Sequence, residues 1–454
     1  MKKKITILGA GESGVGAALL AKSKGEDVFV SDKGAIQEKY VQILENNYIN
    51  YEKGGHHENH ILASDLVIKS PGIPEKNALI RKLRNKNIPV ISEIEYASWH
   101  SRAKFIAITG SNGKTTTSLL TYHLLRSLGL NVGLAGNVGE SLAKQVLEDK
   151  YDYYVLELSS FQLDDVYKFK ADIAVLLNIT PDHLDRYEYD FEKYKDSKFR
   201  VIRNMDTENY FIAFSDDPVI NKELKNSSID VPLLEISLRK EVQRGAWWDG
   251  TNINFNVHSK SFSFNPADFS LKGKHNLVNI MAASLVAAIL TNEMAAIKEH
   301  ITTFKNAPHR LEPCGEINGV KFINDSKATN VDSVFYALDS FSAPLIWIAG
   351  GVDKGNDYSS IESLVKIQVK KLVCLGKDNA KLHTSFAGIV DELVDCSAMN
   401  DAVLQAFSGA KPGDVVLLSP ACASFDLFKN YEDRGEQFKA CVQQLIEQEK
   451  IPKL

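Results

Sequence analysis

FIAITGSNGKTTT, residues Phe105 to Thr117, decides how the chain is read. An apolar run of strand length meets Gly110–Ser111–Asn112–Gly113, and the helical stretch SLLTYHLLRSLG follows. A helix that starts at such a turn leaves its first backbone N–H groups unpaired and carries the positive end of its dipole there, so an anion is favoured. Lys114 can reach the outer phosphates of a nucleotide, and the Thr115 hydroxyl can ligate Mg²⁺. The stretch departs from the full G-x-x-x-x-G-K-[ST] pattern, because Ile108 stands where the first glycine belongs. A glycine-rich turn with an incidental lysine is the plain alternative; the strand before and the helix after favour the phosphate loop.

A strand that feeds a phosphate loop implies a parallel sheet, and the rest of the chain agrees. Strand-like and helix-like stretches alternate almost throughout, which points to sheets covered by helices. KITILGA, DVFVSD, DLVIKS and IPVIS fall before residue 97. FIAITG, YYVLELSS, IAVLLNIT and NYFIAFSDD follow. From about 231 to 272 the texture turns antiparallel (WWDGTNINFNV, SFSFNPADFSL), before the helix NLVNIMAASLVAAIL. FKNAPHRLEP reads as a linker, after which PLIWIAGG, KKLVCLG, DELVDC and DVVLLSPA alternate with helices again. The expected fold class is α/β in three domains, 1–96, 97–305 and 306–454, the central one with a mixed sheet. At 454 residues the chain is too long for a single core.

The net charge of -5, from 53 basic and 58 acidic residues, argues against nucleic acid or an anionic membrane as the main partner. The five cysteines are scattered with no C-x-x-C pair, which fits a reducing cytosol and neither a disulfide scaffold nor a zinc site. MKKKITILGAG superficially mimics a secretion signal, but its apolar stretch runs straight into a glycine loop and reads as a first strand. No apolar run approaches the ~20 residues that span a bilayer. The expectation is a cytoplasmic protein with no membrane partner.

That first loop, Gly9, Gly11 and Gly14, is a complete G-x-G-x-x-G, and Asp32 ends the next strand where a ribose-binding acid belongs. Alone it suits a pyrophosphate and suggests NAD, yet only about half of a dinucleotide fold precedes the second loop. Glu157 ends the strand after the phosphate loop, well placed to hold Mg²⁺ directly or through water. His183 also follows a strand end. On FEKYKDSKFRVIRNM the apolar stripe is Phe191, Tyr194, Val201, Ile202 and Met205, and Lys198 falls within it. A lysine there either snorkels or is chemically altered; a carbamate formed with CO₂ would turn a cation into an oxygen ligand for Mg²⁺. Ser424 sits at a strand–helix turn of the third domain, again favourable to an anion.

Together GAGESG, KSPGIP, TGSNGKTTT, GNVG, LELSSFQL, NITPDHLDRY, GKHNLVNIMAA, PHRLE, INDSKATN, GGVDKG and SPACASFDLFKNYEDRG closely resemble the Mur ligases, over essentially the whole chain. LELSSFQL and SPACASFD…KNYEDRG resemble the branch that adds D-glutamate; the DNPR and GTHGKTT signatures of two other branches are absent. The resemblance implies an N-terminal Rossmann-like UDP-binding domain, a central ATPase-like domain and a C-terminal Rossmann-like domain. It implies an ATP-dependent amide ligase acting through an acyl phosphate, with a UDP-sugar carrying an alanine, ATP and D-glutamate as substrates, working as a monomer. Gly110, Ser111, Asn112, Gly113, Lys114, Thr115 and Thr116, with Asn279, Arg310 and Asp325, would contact ATP. Gly11, Glu12, Ser13, Gly14, Asp32, Lys33, Ser70 and Asn137 would hold the UDP-substrate. Thr329, Lys354, Ser424, Phe425 and Tyr431 would take D-glutamate; Tyr431 departs from the expected phenylalanine. Thr115 and Glu157 would hold one Mg²⁺, His183 and a carbamoylated Lys198 a second, with Lys114 catalytic beside them. A folate-polyglutamate-type ligase, an NAD-dependent oxidoreductase and a nucleotide-switch protein are the alternatives. The oxidoreductase leaves Lys114–Thr117 unexplained, the switch needs no acid-binding third domain, and LELSSFQL with a complete N-terminal domain argues against the folate-type ligase.

Overall fold

The computed structural model describes residues 2–226, 229–258, 260–269, 271–291 and 293–450. The chain forms two compact units, one running to Phe269 and resuming over Val278–Phe304, the other comprising residues 271–277 and everything from Lys305. The helix Lys274–Thr291 therefore begins in the second unit and continues in the first.

The first unit holds two sheets. Strands β1 (Lys4–Leu8), β2 (Asp27–Asp32), β3 (Asn50–Lys53), β4 (Leu66–Lys69) and β5 (Val90–Ile91) form a parallel sheet in the order β3-β2-β1-β4-β5. The order reverses between β1 and β4, and the crevice beyond their carboxyl ends is where a doubly wound sheet takes a ligand. The first glycine loop leaves β1 at that point. The second sheet contains β6 (Lys104–Thr109), β7 (Val132–Gly136), β8 (Tyr153–Glu157), β9 (Ile173–Leu176), β10 (Tyr210–Phe214), β11 (Leu233–Ser237), β12 (Gly245–Trp248), β13 (Ile253–Val257) and β14 (Lys260–Phe264). Its order is β14-β13-β12-β11-β10-β9-β6-β8-β7, and only the β12–β13–β14 end is antiparallel. Burial explains the difference. KFIAIT and IAVL are almost wholly buried, as strands covered on both faces must be, whereas INFNV alternates buried and half-buried.

Buried polar contacts join the two sheets of this unit. Lys69 and Asp165, 4% and 2% exposed, pair at 2.9 Å, and Arg84 also meets Asp165. Glu93 opens the helix Glu93–Ser98 and is 4% exposed. Its Oε1 accepts from Ser141 Oγ at 2.8 Å and from Ala143 N at 2.6 Å, at the start of the helix Leu142–Val146. Burial pushes the Glu93 carboxyl up to about 7, despite those hydrogen bonds.

The second unit has one sheet, β15 (Glu312–Ile317), β16 (Val320–Asn324), β17 (Leu345–Ala349), β18 (Val369–Leu375), β19 (Glu392–Cys396) and β20 (Val415–Leu418), in the order β15-β16-β20-β17-β18-β19 with only β15 antiparallel. An α/β chain with three sheets, the second mixed, is the fold class expected from the sequence. Five strands went unread there: β3, β7, β11, β15 and β16. The helix carrying Lys198 is also shorter than its apolar stripe suggests. It ends at Phe199 and tightens into a 3-10 turn over Arg200–Ile202. Lys274–Thr291, with a mean hydropathy of 1.2, is long and apolar enough to cross a membrane, yet 72% of it is buried within the protein.

Candidate active site

The phosphate loop joins β6 to the helix Lys114–Ser127. Gly113 takes φ +87°, and a Cβ there would lie 2.6 Å from Asn279 Oδ1. Only glycine fits both the left-handed backbone and that approach. Asn279 also accepts from Thr117 Oγ1 at 3.0 Å, so it stands directly against the loop. Asn178, which the sequence reading passed over, braces the loop from β9: its Oδ1 accepts from Asn112 N at 2.7 Å and its Nδ2 donates to Asn112 O at 3.0 Å. Ser111 Oγ donates to Thr180 O and meets the Tyr194 hydroxyl, each at 2.9 Å.

Two lysines converge on one carbonyl. Lys114 Nζ donates to Gly110 O and Ser111 O, both at 2.7 Å, and Lys198 Nζ donates to Gly110 O at 2.8 Å. Lys198 does not snorkel: it is 2% exposed and its Nζ lies 4.8 Å over the Tyr194 ring. Burial first, then the Lys114 ammonium, holds its pKa well below the ordinary lysine value. That shift favours the neutral amine over the ammonium.

Glu157 ends β8, paired in register with Ile108 two residues before the loop. It is 1% exposed. Oε1 accepts from Asn137 Nδ2 at 2.9 Å, while Oε2 is buried with no hydrogen-bond partner among the described residues. A buried carboxylate oxygen left unmatched costs free energy unless something positive meets it, and a hard divalent cation satisfies that need. The donor chemistry of Glu157, with the buried Thr115 hydroxyl at the loop, fits Mg²⁺. His183 is half-exposed, in a left-handed conformation at φ +52°, with its ring 5.2 Å from Phe161. Arg186 stacks 4.3 Å from the same Phe161 ring and donates to Pro71 O and Gly72 O, which ties this segment to the turn after Ser70.

In the first glycine loop, a Cβ at Gly9 would strike Ser70 Oγ at 2.4 Å and one at Gly14 would strike Gly9 O at 1.9 Å. A Cβ at Gly11 would meet nothing within 4 Å. Gly11 is the N-cap of the helix Glu12–Ser23 and offers no capping side chain, so the helix end is open to an anion. Ser13 is half-buried beside it, and Glu12 accepts from Tyr40 OH at 3.0 Å. Asp32 has its carboxylate engaged by the backbone: Ala10 N donates to Oδ2 and Gly34 N to Oδ1, both at 2.7 Å. It therefore shapes the loop, while the neighbouring Lys33 is exposed.

The second unit gathers its own set. Asp325, 4% exposed, accepts from Leu311 N at 3.2 Å and Ser419 Oγ at 2.9 Å; burial pushes its carboxyl up to about 7, opposed by Arg310. Val352 and Ala423 exchange backbone hydrogen bonds of 2.8 and 3.2 Å, which lays the Lys354 turn beside buried Ser424. Ala421 N donates to Ala328 O at 3.0 Å and so brings in Thr329. Arg434, absent from the predicted site, underlies the cluster at 1% exposure. It donates to Ser326 Oγ and O and to Cys422 O, at 3.0, 2.9 and 3.2 Å. Lys354 and Phe425 are exposed, and Tyr431 packs edge-on to His309 with Lys327 Nζ 5.6 Å over its ring.

A glycine loop on a parallel sheet, a phosphate loop on a mixed sheet and a polar cluster at the strand ends of a third define an ATP-dependent ligase of the Mur type. Family models match in that order: the MurD N-terminal domain over residues 4–78, the Mur ligase middle domain over 108–287 and the Mur ligase glutamate ligase domain over 309–422. The chain belongs to the Mur ligase family. Within it, the chain is 55% identical over 448 residues to a UDP-N-acetylmuramoylalanine–D-glutamate ligase of Cytophaga hutchinsonii, covering 98% of this chain and 100% of that one. It is 50% identical over 444 residues to the ligase of the same name from Bacteroides fragilis, again covering 98% and 100%. Among solved structures, the UDP-N-acetylmuramate–alanine ligase of Thermotoga maritima shares the fold, with a TM-score of 0.61 at 18% identity over 98% of this chain and all of that one.

Proposed function

We propose that this protein joins D-glutamate to UDP-N-acetylmuramoyl-L-alanine with ATP, a cytoplasmic step of peptidoglycan precursor synthesis, and that it does so as a monomer. The full-length likeness to ligases of that name carries the reading. The domains are taken as 1–96 for the UDP-substrate, 97–305 for ATP and 306–454 for the amino acid.

The chemistry explains why two nucleotide loops are needed. A carboxylate resists attack by an amine because the attack adds negative charge to a group already negative. Transfer of the γ-phosphoryl group of ATP to the alanyl carboxylate gives an acyl phosphate and ADP. The amine of D-glutamate then attacks the carbonyl carbon, phosphate leaves, and the amine proton passes to solvent. Bound Mg²⁺ offsets the charge that gathers on the transferring phosphoryl group. Lys114, held at the loop by the Gly110 and Ser111 carbonyls, supplies a cation to that group. Asn137 holds Glu157 through Oε1, which leaves Oε2 as the oxygen that would take Mg²⁺.

A second Mg²⁺ is assigned to His183 and Lys198. The amine of Lys198, in its neutral form, would add to CO₂ with formation of an N–C bond and release of one proton, and the carbamate would offer oxygen ligands where the amine has none to give Mg²⁺. Asn279, Arg310 and Asp325 are assigned to the adenine nucleotide with the loop residues Gly110–Thr116. Gly11, Glu12, Ser13, Gly14, Asp32, Lys33, Ser70 and Asn137 are assigned to the UDP-substrate, and Thr329, Lys354, Ser424, Phe425 and Tyr431 to D-glutamate. The test is phosphate release from ATP with the muramoyl-alanine substrate and each candidate amino acid in turn. Release with D-glutamate alone supports the reading; release that follows L-glutamate or a folate substrate instead refutes it.

A further inference from the structure

Nothing in the ligation reaction uses the edge of the third sheet where β18 and β19 run beneath the helix Ala380–Phe386. Cys374 on β18 and Asp395 on β19 are register partners in a parallel pair, so they project from the same face. The helix covers that face: Cys374 belongs to the cluster that holds Leu382 and Phe386. From the helix, His383 brings Nε2 to 3.0 Å from both Asp395 oxygens. One donor atom from each of Cys374, His383 and Asp395 lies within 4.8 Å of the other two, the one such trio among the described residues.

We propose that Cys374, His383 and Asp395 bind a single divalent cation of the zinc class, with no residue of the phosphate loop involved. A thiolate, an imidazole and a carboxylate form a borderline-soft set that suits Zn²⁺ and not the oxygen-only preference of Mg²⁺. Donors in a tetrahedral zinc site stand about 3.6 Å apart, so the trio closes by about 1 Å at most. The side chains that must move are free to do so, His383 being 43% and Asp395 56% exposed. Asn379 Nδ2 donates to Asp395 Oδ1 at 2.9 Å, the outer hydrogen bond that orients a ligating carboxylate. The exposed side leaves the fourth position to water.

A His–Asp ion pair alone would explain the imidazole and the carboxylate; the Cys374 thiol, register partner of Asp395, is what completes a ligand set. Coordination would replace the thiol proton, so binding would strengthen as pH rises. The sequence has no C-x-x-C pair, and its scattered cysteines speak against a zinc site; only the strand register and the helix above it assemble this trio. A bound ion would tie β18, β19 and the helix together. Lys381 of that helix pairs with Asp353 at 3.2 Å, one residue from Lys354, so the ion would also stiffen the support of the Lys354 turn.

The full-length protein, stripped by chelator and held in excess Mg²⁺, is titrated with Co²⁺ as the probe. A near-ultraviolet thiolate-to-cobalt band should appear, saturate at one ion per chain and vanish on adding Zn²⁺. His383→Ala, at a half-exposed position, should weaken cobalt binding by about tenfold or more. Cys374→Ser should abolish the band, while Cys441→Ser leaves it. No thiolate band, or a band of unchanged affinity in His383→Ala, overturns the proposal.

Discussion

Replacing Glu93 by Gln should stabilise the protein at neutral and alkaline pH and do progressively less as the solution is acidified. Glu93 is buried, accepts two hydrogen bonds on one oxygen, and has its carboxyl pushed from 4.5 up to about 7. Between those values the folded protein binds more protons at this site than the unfolded chain, so stability falls as pH rises, and the loss is complete above about 7. Worked through, burying the ionised form costs about 1 kcal/mol at pH 5.5 and about 3 kcal/mol at pH 8. Gln keeps the acceptor for Ser141 Oγ and Ala143 N without the charge, and spends about 1 kcal/mol of the gain on its buried NH₂ group. The net effect is near zero at pH 5.5 and about 2 kcal/mol at pH 8, or an upward shift in melting temperature of roughly 2 °C for a chain this long. Scanning calorimetry of both proteins from pH 5.5 to 8.5 measures it. Melting curves whose separation is the same at every pH would refute the argument, since they would mean Glu93 titrates alike in folded and unfolded states.

Gly113→Ala forces a side chain into a left-handed backbone and against Asn279 Oδ1, so the KM for ATP should rise about tenfold while melting stays within a few degrees. Lys114→Ala should cut kcat by ~10²-fold or more with little change in nucleotide binding, measured by fluorescent-analogue titration, because the lysine's main service is to the transferring charge. Lys198→Ala should be nearly inactive and partly restored by acetate; full activity without CO₂ or acetate would remove the carbamate from the account.

What was legible in the sequence follows burial. FIAITG, IAVL and LIWIA are apolar throughout because helices cover both faces, and such runs announce strands. NYEK and EPCGEI do not, since β3 is half-exposed and β15 is an edge strand whose Pro313 and Gly315 flank a bulge. VGLAG is short and glycine-rich, its Gly136 needing φ +99° to let β7 close on Glu157. The phosphate loop and the position of Glu157 could be read from spacing. Its unmatched Oε2 could not, because burial of one particular oxygen is a property of packing. Lys198 stood out as a lysine in an apolar stripe; that Gly110 O, rather than solvent, receives its amine required the fold. Asp32 was found by its distance from the glycine loop, but its grip on Ala10 N is tertiary. Asn178 and Arg434 carry no local signal. Each serves the site through groups that are distant in sequence.

The central claim is that a substrate carboxylate is activated by phosphorylation, and an oxygen label tests it most directly. With ¹⁸O in the alanyl carboxylate of the UDP-substrate, and with ATP and D-glutamate unlabelled, the account predicts one ¹⁸O atom in each phosphate released alongside ADP, in step with amide formation. Unlabelled phosphate accompanying amide formation, or AMP and pyrophosphate as the nucleotide products, would contradict it.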